Sequence, residues 1–250
     1  MLEQLSGVVD LNGALWLLAG VFAAGLVRGF SGFGSGMIIM AVASSVLPPV
    51  SAILFMMMAE LLGPLPNLPA AWRDGAPRDV GRLMLGAVLL VPVGIFCLTL
   101  MSPEVFGWIV SGCIVVILCL LMTGWRYNGQ LTNGMTVATG GLGGFMSGFA
   151  GIPGPPVIML YLSSRLPISV IRANFLLYLL AIDVVMIAAF WGSGLFVWEA
   201  AVIGLLAGIP NVVANMIGAR LFDPEAETLF RRVAYLIIAC SAIVGLPLWR

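Results

Sequence analysis

Eight long apolar stretches follow one another along this chain, and only short polar connections separate them. Six of the stretches are about 20 residues long, the length that one α-helix needs to cross the hydrocarbon core of a bilayer. With 61% hydrophobic and 9% charged residues, the composition excludes a soluble globular domain. We predict an all-α polytopic membrane protein with a single transmembrane domain over residues 1–250. The stretches are 13–47, 50–71, 81–101, 104–124, 131–162, 168–191, 198–219 and 226–248.

The first and fifth stretches are too long for one crossing. As a single helix, the first would measure roughly 52 Å, whereas the hydrocarbon core is about 30 Å thick. Each contains a glycine-rich break near its middle, at 28–36 and at 147–156. Unpaired backbone groups are unfavourable in lipid, so a break survives only where protein buries it or where it lines a polar cavity. We predict that each stretch is a broken or re-entrant helical hairpin, and whether the first one crosses the membrane stays open.

The two breaks match each other in sequence. A shift of 119 positions places Gly-Phe-Ser-Gly at 29–32 over Gly-Phe-Ala-Gly at 148–151. We interpret the match as a duplication, with a first repeat at 10–126 and a second at 127–250. Each repeat would hold one hairpin and three transmembrane helices, and this odd number of crossings makes the repeats inverted, as in many transporters. Further matches in the same order are Leu47-Pro48 with Leu166-Pro167 and Gly86–Pro92 with Gly204–Pro210.

The arginines favour a re-entrant fifth stretch. Cytoplasmic loops of membrane proteins carry an excess of basic residues, and all eleven basic residues of this chain are arginine. If the fifth stretch crosses once, the arginines divide almost evenly between the two faces. If it is a hairpin, nine of them lie on one face and Arg250 lies on the other. The positive-inside rule thus predicts an even number of crossings between Arg126 and Arg165.

Several classes of function are excluded by residue types. Because the chain has no histidine, a Ser-His catalytic pair, a histidine metal site and an imidazole proton relay are excluded. The four cysteines lie inside apolar stretches without CxxC spacing, as is typical of buried small residues. The formal net charge is zero, so bulk charge does not indicate a nucleic-acid partner. We expect no enzymatic activity, no metal and no cofactor.

The glycine-rich breaks are the predicted binding site. A helix that begins after a break presents backbone N–H groups and the positive end of its dipole, and two such ends near the bilayer midplane would bind a small anion. The alternative is tight helix packing through small residues. The predicted substrate-binding residues around the breaks are Arg28, Gly29, Phe30, Ser31, Gly32, Gly34, Ser35, Gly148, Phe149, Ala150, Gly151 and Gly154.

Three asparagines in apolar stretches extend this predicted site. Asn211 and Asn215 are one helical turn apart and therefore share a helix face, and they follow Pro210, where we expect a local kink. Asn174 lies near the start of the sixth stretch. We predict that all three line the substrate pathway. Interhelical hydrogen bonding is the alternative for each of them.

Two carboxylates lie at the depth of the membrane. Glu60 is in the second stretch and Asp183 is near the middle of the sixth. An ionisable group at such a position is costly and is a functional candidate by default. We predict that Asp183 or Glu60 couples transport to protons. The alternative is a neutral carboxyl group, or one that is paired with Arg28 or with a backbone donor.

The chain resembles the TauE/SafE family of bacterial membrane transporters, often called sulfite exporters. The resemblance is carried by Gly-Phe-Ser-Gly-Phe-Gly-Ser-Gly at 29–36, by Gly-Phe-Ala-Gly-Ile-Pro-Gly-Pro-Pro at 148–156, and by Gly-Ala-Arg-Leu at 218–221. It extends over essentially the whole chain. The resemblance implies a multi-pass carrier of the cell inner membrane for sulfite, organosulfonates or related sulfur oxyanions, driven by the proton gradient.

These observations together predict a secondary transporter for a small anion. The anion follows from the helix ends at the breaks, whereas sulfite or an organosulfonate as cargo follows from the resemblance alone. An anion channel and a carrier of a non-sulfur carboxylate are the alternatives. The expected partners are the anion, the lipid bilayer and protons, with no nucleic acid, and a homo-oligomer stays open.

Overall fold

The computed structural model describes residues 11–31, 34–123, 132–162, 164, 166–221 and 226–249. Within these ranges every regular element is helical and no strand occurs, which confirms the predicted all-α class. Two short 3₁₀ turns, Leu65–Asn67 and Pro247–Trp249, accompany the α-helices. The α-helices are α1 Leu11–Ser31, α2 Ser35–Val46, α3 Pro49–Leu61, α4 Leu68–Asp74, α5 Pro77–Thr99, α6 Pro103–Thr123, α7 Asn133–Ala150, α8 Gly154–Leu162, α9 Ile168–Gly192, α10 Trp198–Leu221 and α11 Glu227–Val244.

Five helices of the described chain are long and apolar enough to cross a membrane, and a sixth span is reached if α3 and the 3₁₀–α4 segment form one. This confirms a polytopic membrane protein, while the inverted-repeat architecture stays a prediction. The second apolar stretch, expected as one continuous helix, is interrupted after Leu61. Pro64 and Pro66 lack backbone N–H groups, and a proline cannot continue an α-helix without losing a hydrogen bond.

The chain forms two compact units. Unit 1 comprises Met1–Gly63, Met101–Leu121 and Val197–Arg250, and unit 2 comprises Pro64–Leu100 and Met122–Phe196. Each unit therefore combines helices from both predicted repeats, because α10 packs on α1 and α3 in unit 1, and α5 packs on α7 and α9 in unit 2. The boundaries of the predicted repeats stay a prediction at the level of sequence.

The outer faces of the helices are apolar. On α5, Leu85, Leu89 and Phe96 have 64%, 71% and 63% of their surface exposed. In water such a stripe would mark a binding or aggregation surface. In a bilayer it faces lipid tails, because a helix satisfies its own backbone hydrogen bonds and only its side chains need to be compatible with hydrocarbon.

Glycines allow the closest helix contacts inside each unit. In unit 1, a Cβ atom on Gly29 of α1 would meet the backbone of α10 at Asn215 and, at 2.6 Å, the amide nitrogen of Ala219. In unit 2, a Cβ atom on Gly148 of α7 would lie 2.5 Å from the Val91 carbonyl oxygen and 2.8 Å from the Ile95 nitrogen of α5. Both helix pairs thus pack backbone against backbone, which only glycine permits.

Candidate functional site

The first break lies in unit 1 between α1 and α2. Gly34 precedes α2 with a φ of 92°, in the left-handed region, and a Cβ atom on it would come within 2.8 Å of Ile238 Cδ1. Both the backbone conformation and the space therefore require glycine at this position. Gly32, a predicted binding residue, lies outside the described residues. Ser35 is the first residue of α2 and is buried.

The second break lies in unit 2 between α7 and α8. Gly151 ends α7 with a φ of 71°. Its N–H group donates to the Ser147 carbonyl at 2.9 Å, and the N–H group of Ile152 donates to the Met146 carbonyl at 3.3 Å. These bonds satisfy carbonyl groups that a helix end otherwise leaves unpaired. The break thus lies buried at Gly151 and Ile152, with the end of α7 capped by these hydrogen bonds.

The side chains beside the breaks mostly contact other protein groups. Ser31 donates its hydroxyl to the Val27 carbonyl at 2.6 Å, and the Phe30 ring lies 5.4 Å from that of Phe230. The Phe149 ring stacks on the ring of Phe145, one turn earlier, at 5.1 Å. Ala150 is fully buried. Together with the packing of Gly29 and Gly148 against backbone, these contacts explain the residues structurally, and their role in binding stays a prediction.

The start of α2 is faced by a carboxylate of the protein itself. Glu60 Oε2 lies 3.2 Å from the position of a Cβ atom on Gly36, in the first turn of α2. Glu60 Oε1 accepts from Arg28 Nη1 at 3.5 Å, and the two side chains are 20% and 21% exposed. This pairing is the alternative that the sequence left open for Glu60 and Arg28. A carboxylate at this position is favoured by the positive end of the helix dipole.

The start of α8 is poor in backbone donors. The first residues of α8 are Gly154, Pro155, Pro156 and Val157, and proline has no N–H group. Two of the N–H groups that an ordinary helix presents at its first turn are therefore missing. The backbone receptor predicted from the sequence therefore has fewer N–H groups at the second break than an ordinary helix start presents, and its role in binding stays a prediction.

Asn211 and Asn215 hold α10 in unit 1. Asn211 is buried and donates Nδ2 to the Ala59 carbonyl on α3 at 3.0 Å, while its Oδ1 lies against Gly25 of α1. Asn211 thus makes the interhelical hydrogen bond that was its alternative role. The backbone of Asn215 faces Gly29, and the side chain of Asn215 is half-buried.

Asn174 is arranged differently, in unit 2. Its side chain is fully buried on α9, and its Oδ1 accepts from the Ala76 N–H at 2.6 Å. Its Nδ2 has no hydrogen-bond partner within the described part of the chain. The Tyr161 hydroxyl on α8 lies beside Asn174 and is likewise without a hydrogen bond of proper geometry to any described residue.

Tyr178 lies one turn after Asn174 on α9 and is fully buried. Its hydroxyl lies close to where a Cβ atom on Gly143 would be. That same position is 3.1 Å from the Pro153 carbonyl oxygen. Like the Tyr161 hydroxyl, it has no partner among the residues described. Neither tyrosine belongs to the patterns of glycines, amides and charges from which the site was predicted. The spacing of Asn174 and Tyr178 on one helix face was the available signal.

Asp183 follows Tyr178 on α9, is half-buried, and is close enough to interact electrostatically with the Tyr178 hydroxyl. Its predicted role in proton coupling stays a prediction. Gly154 lies against the ring of Phe175, which is 3.1 Å from the position of a Cβ atom on Gly154. The second break is therefore bordered by the Phe175 ring and by the Tyr178 hydroxyl.

A separate cavity of about 560 Å³ lies in unit 2, beside the end of α5 and the end of α9. It contains none of the predicted site residues, and most of its wall is apolar. A cavity with so few polar groups does not fix the orientation of an anion. Its lining residues are Pro92, Ile95, Phe96, Thr99, Ala189, Gly192, Ser193 and Leu195.

Comparison with known proteins finds one family model, described as "Sulfite exporter TauE/SafE", that matches residues 17–244. A protein of Cupriavidus necator described as "Probable sulfite/organosulfonate exporter TauE" is 27% identical over 235 residues. The aligned region covers 87% of this chain and 88% of that relative. No solved structure matches the chain.

Proposed function

Because the chain belongs to the sulfite exporter TauE/SafE family, we propose that it is a secondary transporter that moves sulfite or an organosulfonate across the cell inner membrane. The family consists of membrane transporters and not of enzymes, as expected from the residue types. The similar protein of Cupriavidus necator is named for sulfite and organosulfonate export. That name supports a sulfur oxyanion as cargo and export as direction.

The observation that carries this proposal is the buried break between α7 and α8. Gly151 ends α7 in the left-handed conformation inside an apolar segment, and α8 begins three residues later at Gly154. Broken helices at the depth of the membrane bind substrates in many transporters, because their ends supply polar groups in a nonpolar environment. A protein that only spans the membrane needs no such break.

We assign the proton-coupling role to Asp183. Glu60, the other candidate, forms an ion pair with Arg28 and lies at the start of α2, remote in sequence from the second break. Asp183 lies within the long apolar helix α9 and interacts with Tyr178 at the second break. A carboxylate in this position can change its charge when the site fills or empties.

The test is transport by the purified protein in liposomes. We expect saturable uptake of labelled sulfite and of methanesulfonate, and we expect an imposed pH gradient to accumulate both. Uptake of acetate but of neither sulfur oxyanion would show that the cargo is a carboxylate. A large, non-saturating current of anions would contradict a carrier and identify a channel.

Asp183→Asn tests the coupling in the same liposomes. We expect this variant to lose accumulation driven by the pH gradient but to keep exchange of labelled for unlabelled anion, because an amide cannot carry a proton through the cycle. Asp74→Asn is the control, since Asp74 is an exposed carboxylate of the same unit. If the Asp183→Asn protein still accumulates anion in response to the pH gradient, Asp183 is not the residue that couples transport to protons.

A further inference from the structure

Unpaired buried polar atoms are concentrated in unit 2. In the described parts of the chain, four buried side-chain atoms lack a hydrogen-bond partner, and three of them are Tyr161 OH, Asn174 Nδ2 and Tyr178 OH. Buried polar groups are nearly always paired, so an unpaired one needs an explanation. Three within the helices α8 and α9, which pack on each other, are better explained by a common polar ligand than by three isolated defects.

Tyr161 and Asn174 are neighbours near the start of α5, and Tyr178, one turn further along α9, reaches the second break. Asn174 and Tyr178 share one face of α9, and Tyr161 on α8 lies beside Asn174. The Tyr178 hydroxyl reaches Gly143 of α7, at a point 3.1 Å from the carbonyl oxygen of Pro153. Pro153 immediately precedes α8. Since any side chain at position 143 would take the place of this hydroxyl, Gly143 keeps the space at the break open for it.

The amide of Asn174 is held in one orientation. Its oxygen accepts the Ala76 N–H at 2.6 Å, so its NH₂ group is the end that remains unpaired in the described structure. An NH₂ group only donates, and a tyrosine hydroxyl donates readily to an anion. The three groups thus offer donors to a ligand beside α8, whose own first turn lacks the N–H groups of Pro155 and Pro156.

The charges around these donors limit the charge of the ligand. Asp79 interacts electrostatically with Tyr161, and Asp183 does so with Tyr178. Arg82 Nη1 lies 2.7 Å from Asp79 Oδ1, which offsets the first of these negative charges. The donors themselves are neutral, so they stabilise one negative charge far better than two in a site bordered by carboxylates.

We infer that Tyr161, Asn174 and Tyr178 together bind the oxygen atoms of a singly charged oxyanion, such as a sulfonate or hydrogensulfite, and disfavour dianions. A sulfonate group spreads one charge over three oxygen atoms, which matches three neutral donors. The Phe175 ring against Gly154 gives the organic part of a sulfonate an apolar wall. This inference rests on the proposed function and specifies the substrate class of the same site.

The experiment measures binding to the full-length protein in lipid nanodiscs by titration calorimetry. The probes are methanesulfonate, a monoanion, sulfate, a dianion, and acetate. Tyr161→Phe and Tyr178→Phe each remove only a hydroxyl group, and Asn174→Asp keeps the acceptor for Ala76 but loses the NH₂ group. Tyr235→Phe is the matched control, because its hydroxyl in unit 1 contacts the Leu121 carbonyl at 3.4 Å and is remote in sequence from the break.

We expect each Tyr→Phe change to raise the Kd for methanesulfonate about tenfold, as for one hydrogen bond to a charged group, and Asn174→Asp to abolish binding. Tyr235→Phe should leave the Kd unchanged, and sulfate should bind at least about tenfold more weakly than methanesulfonate. If Tyr161→Phe and Tyr178→Phe bind methanesulfonate with the same Kd as wild type and Tyr235→Phe, the donor site is overturned and water is the partner of these hydroxyl groups. Sulfate binding as tight as methanesulfonate would overturn the monoanion preference. Wild-type protein that binds none of the sulfur oxyanions would instead contradict the proposed function itself.

Discussion

Residues of one type have different roles in the two units. Asn211 uses both ends of its amide inside the protein, on Ala59 and against Gly25. Asn174 uses only its oxygen, on Ala76, and its NH₂ group stays unpaired among the residues described. The difference arises from the neighbours. The Ala59 carbonyl of α3 accepts a hydrogen bond from Asn211, whereas the Tyr161 hydroxyl of α8 lies beside Asn174. The first amide joins helices, whereas the second is one of the donors that we infer for a ligand.

The ion pair of Arg28 and Glu60 is predicted to stabilise unit 1. Both side chains are largely buried, so Glu60→Gln leaves a guanidinium without its partner, which should lower stability by about 1–3 kcal/mol. Arg28→Gln/Glu60→Gln should lose less than the sum of the single variants, because neither charge is then left alone. Thermal unfolding in detergent measures both effects.

The control is the pair of Arg73 and Asp74, which is exposed to solvent. Exposed ion pairs contribute about 0–1 kcal/mol, so Asp74→Asn should leave the unfolding temperature nearly unchanged. Additive effects of the two changes at Arg28 and Glu60 would mean that the charges do not interact in the folded protein.

The helices α1 and α7 use the same packing device in the two units. Gly25 and Gly29 of α1 lie against α10, and Gly144 and Gly148 of α7, at the same spacing, lie against α5. In each case the helix that ends at a break is held by backbone contact with one partner. Gly29 lies against Asn215–Ala219 of α10, and Gly148 lies against Val91–Ile95 of α5. When α5 and α10 are aligned by pairing Pro92 with Pro210, these two contact positions differ by six residues.

Gly148→Ala tests this device. The added methyl group would lie 2.5 Å from the Val91 carbonyl oxygen and 2.8 Å from the Ile95 nitrogen. Because these are backbone atoms that cannot rotate away, α5 must move, and we expect a loss of about 1–3 kcal/mol. The unfolding temperature of the purified variant in detergent gives the measurement.

Gly134→Ala in the same helix is the control for that change. A Cβ atom at Gly134 meets nothing within 4 Å among the described residues, and alanine is the better helix former by roughly 1 kcal/mol. This variant should be as stable as the parent or slightly more stable. A Gly148→Ala protein with unchanged stability would show that α5 and α7 are not held at backbone contact.

At the scale of the whole molecule, the chain passes back and forth between its two compact units. Unit 1 takes α10 and α11 from the end of the chain, and unit 2 takes α4 and α5 from its first half. The glycine-mediated pairs α1 with α10 and α5 with α7 therefore each join distant parts of the sequence. Neither half of the chain contains all the helices of either unit.

We accordingly predict that residues 1–126 and 127–250 are unstable when each is produced alone. Co-production of the two halves should restore a protease-resistant complex, because α10 then finds α1 and α5 finds α7. Limited proteolysis in membranes, with the intact chain as reference, measures the outcome. A half that resists protease by itself to the same degree as the intact chain would contradict this dependence.

The membrane class and the positions of several helix ends follow from the sequence alone. Hydropathy and the glycines of the two breaks, among them Gly34 and Gly151, are local signals, and each acts on the few residues around it. These signals also located the two breaks. They failed at 50–71, where the prolines after Leu61 interrupt an apolar segment of the expected length.

Only the tertiary structure decided which polar groups meet. Arg28 pairs with a residue 32 positions away, Asn174 with one 98 positions away, and Asn211 with one 152 positions away. Hydrophobic periodicity says which face of a helix is buried, but not which neighbour lies against it. For that reason the sequence indicated the breaks and the asparagines, whereas the two tyrosines became candidates only once the folded chain placed Tyr161 beside Asn174 and Tyr178 at the second break, both unpaired within its described part.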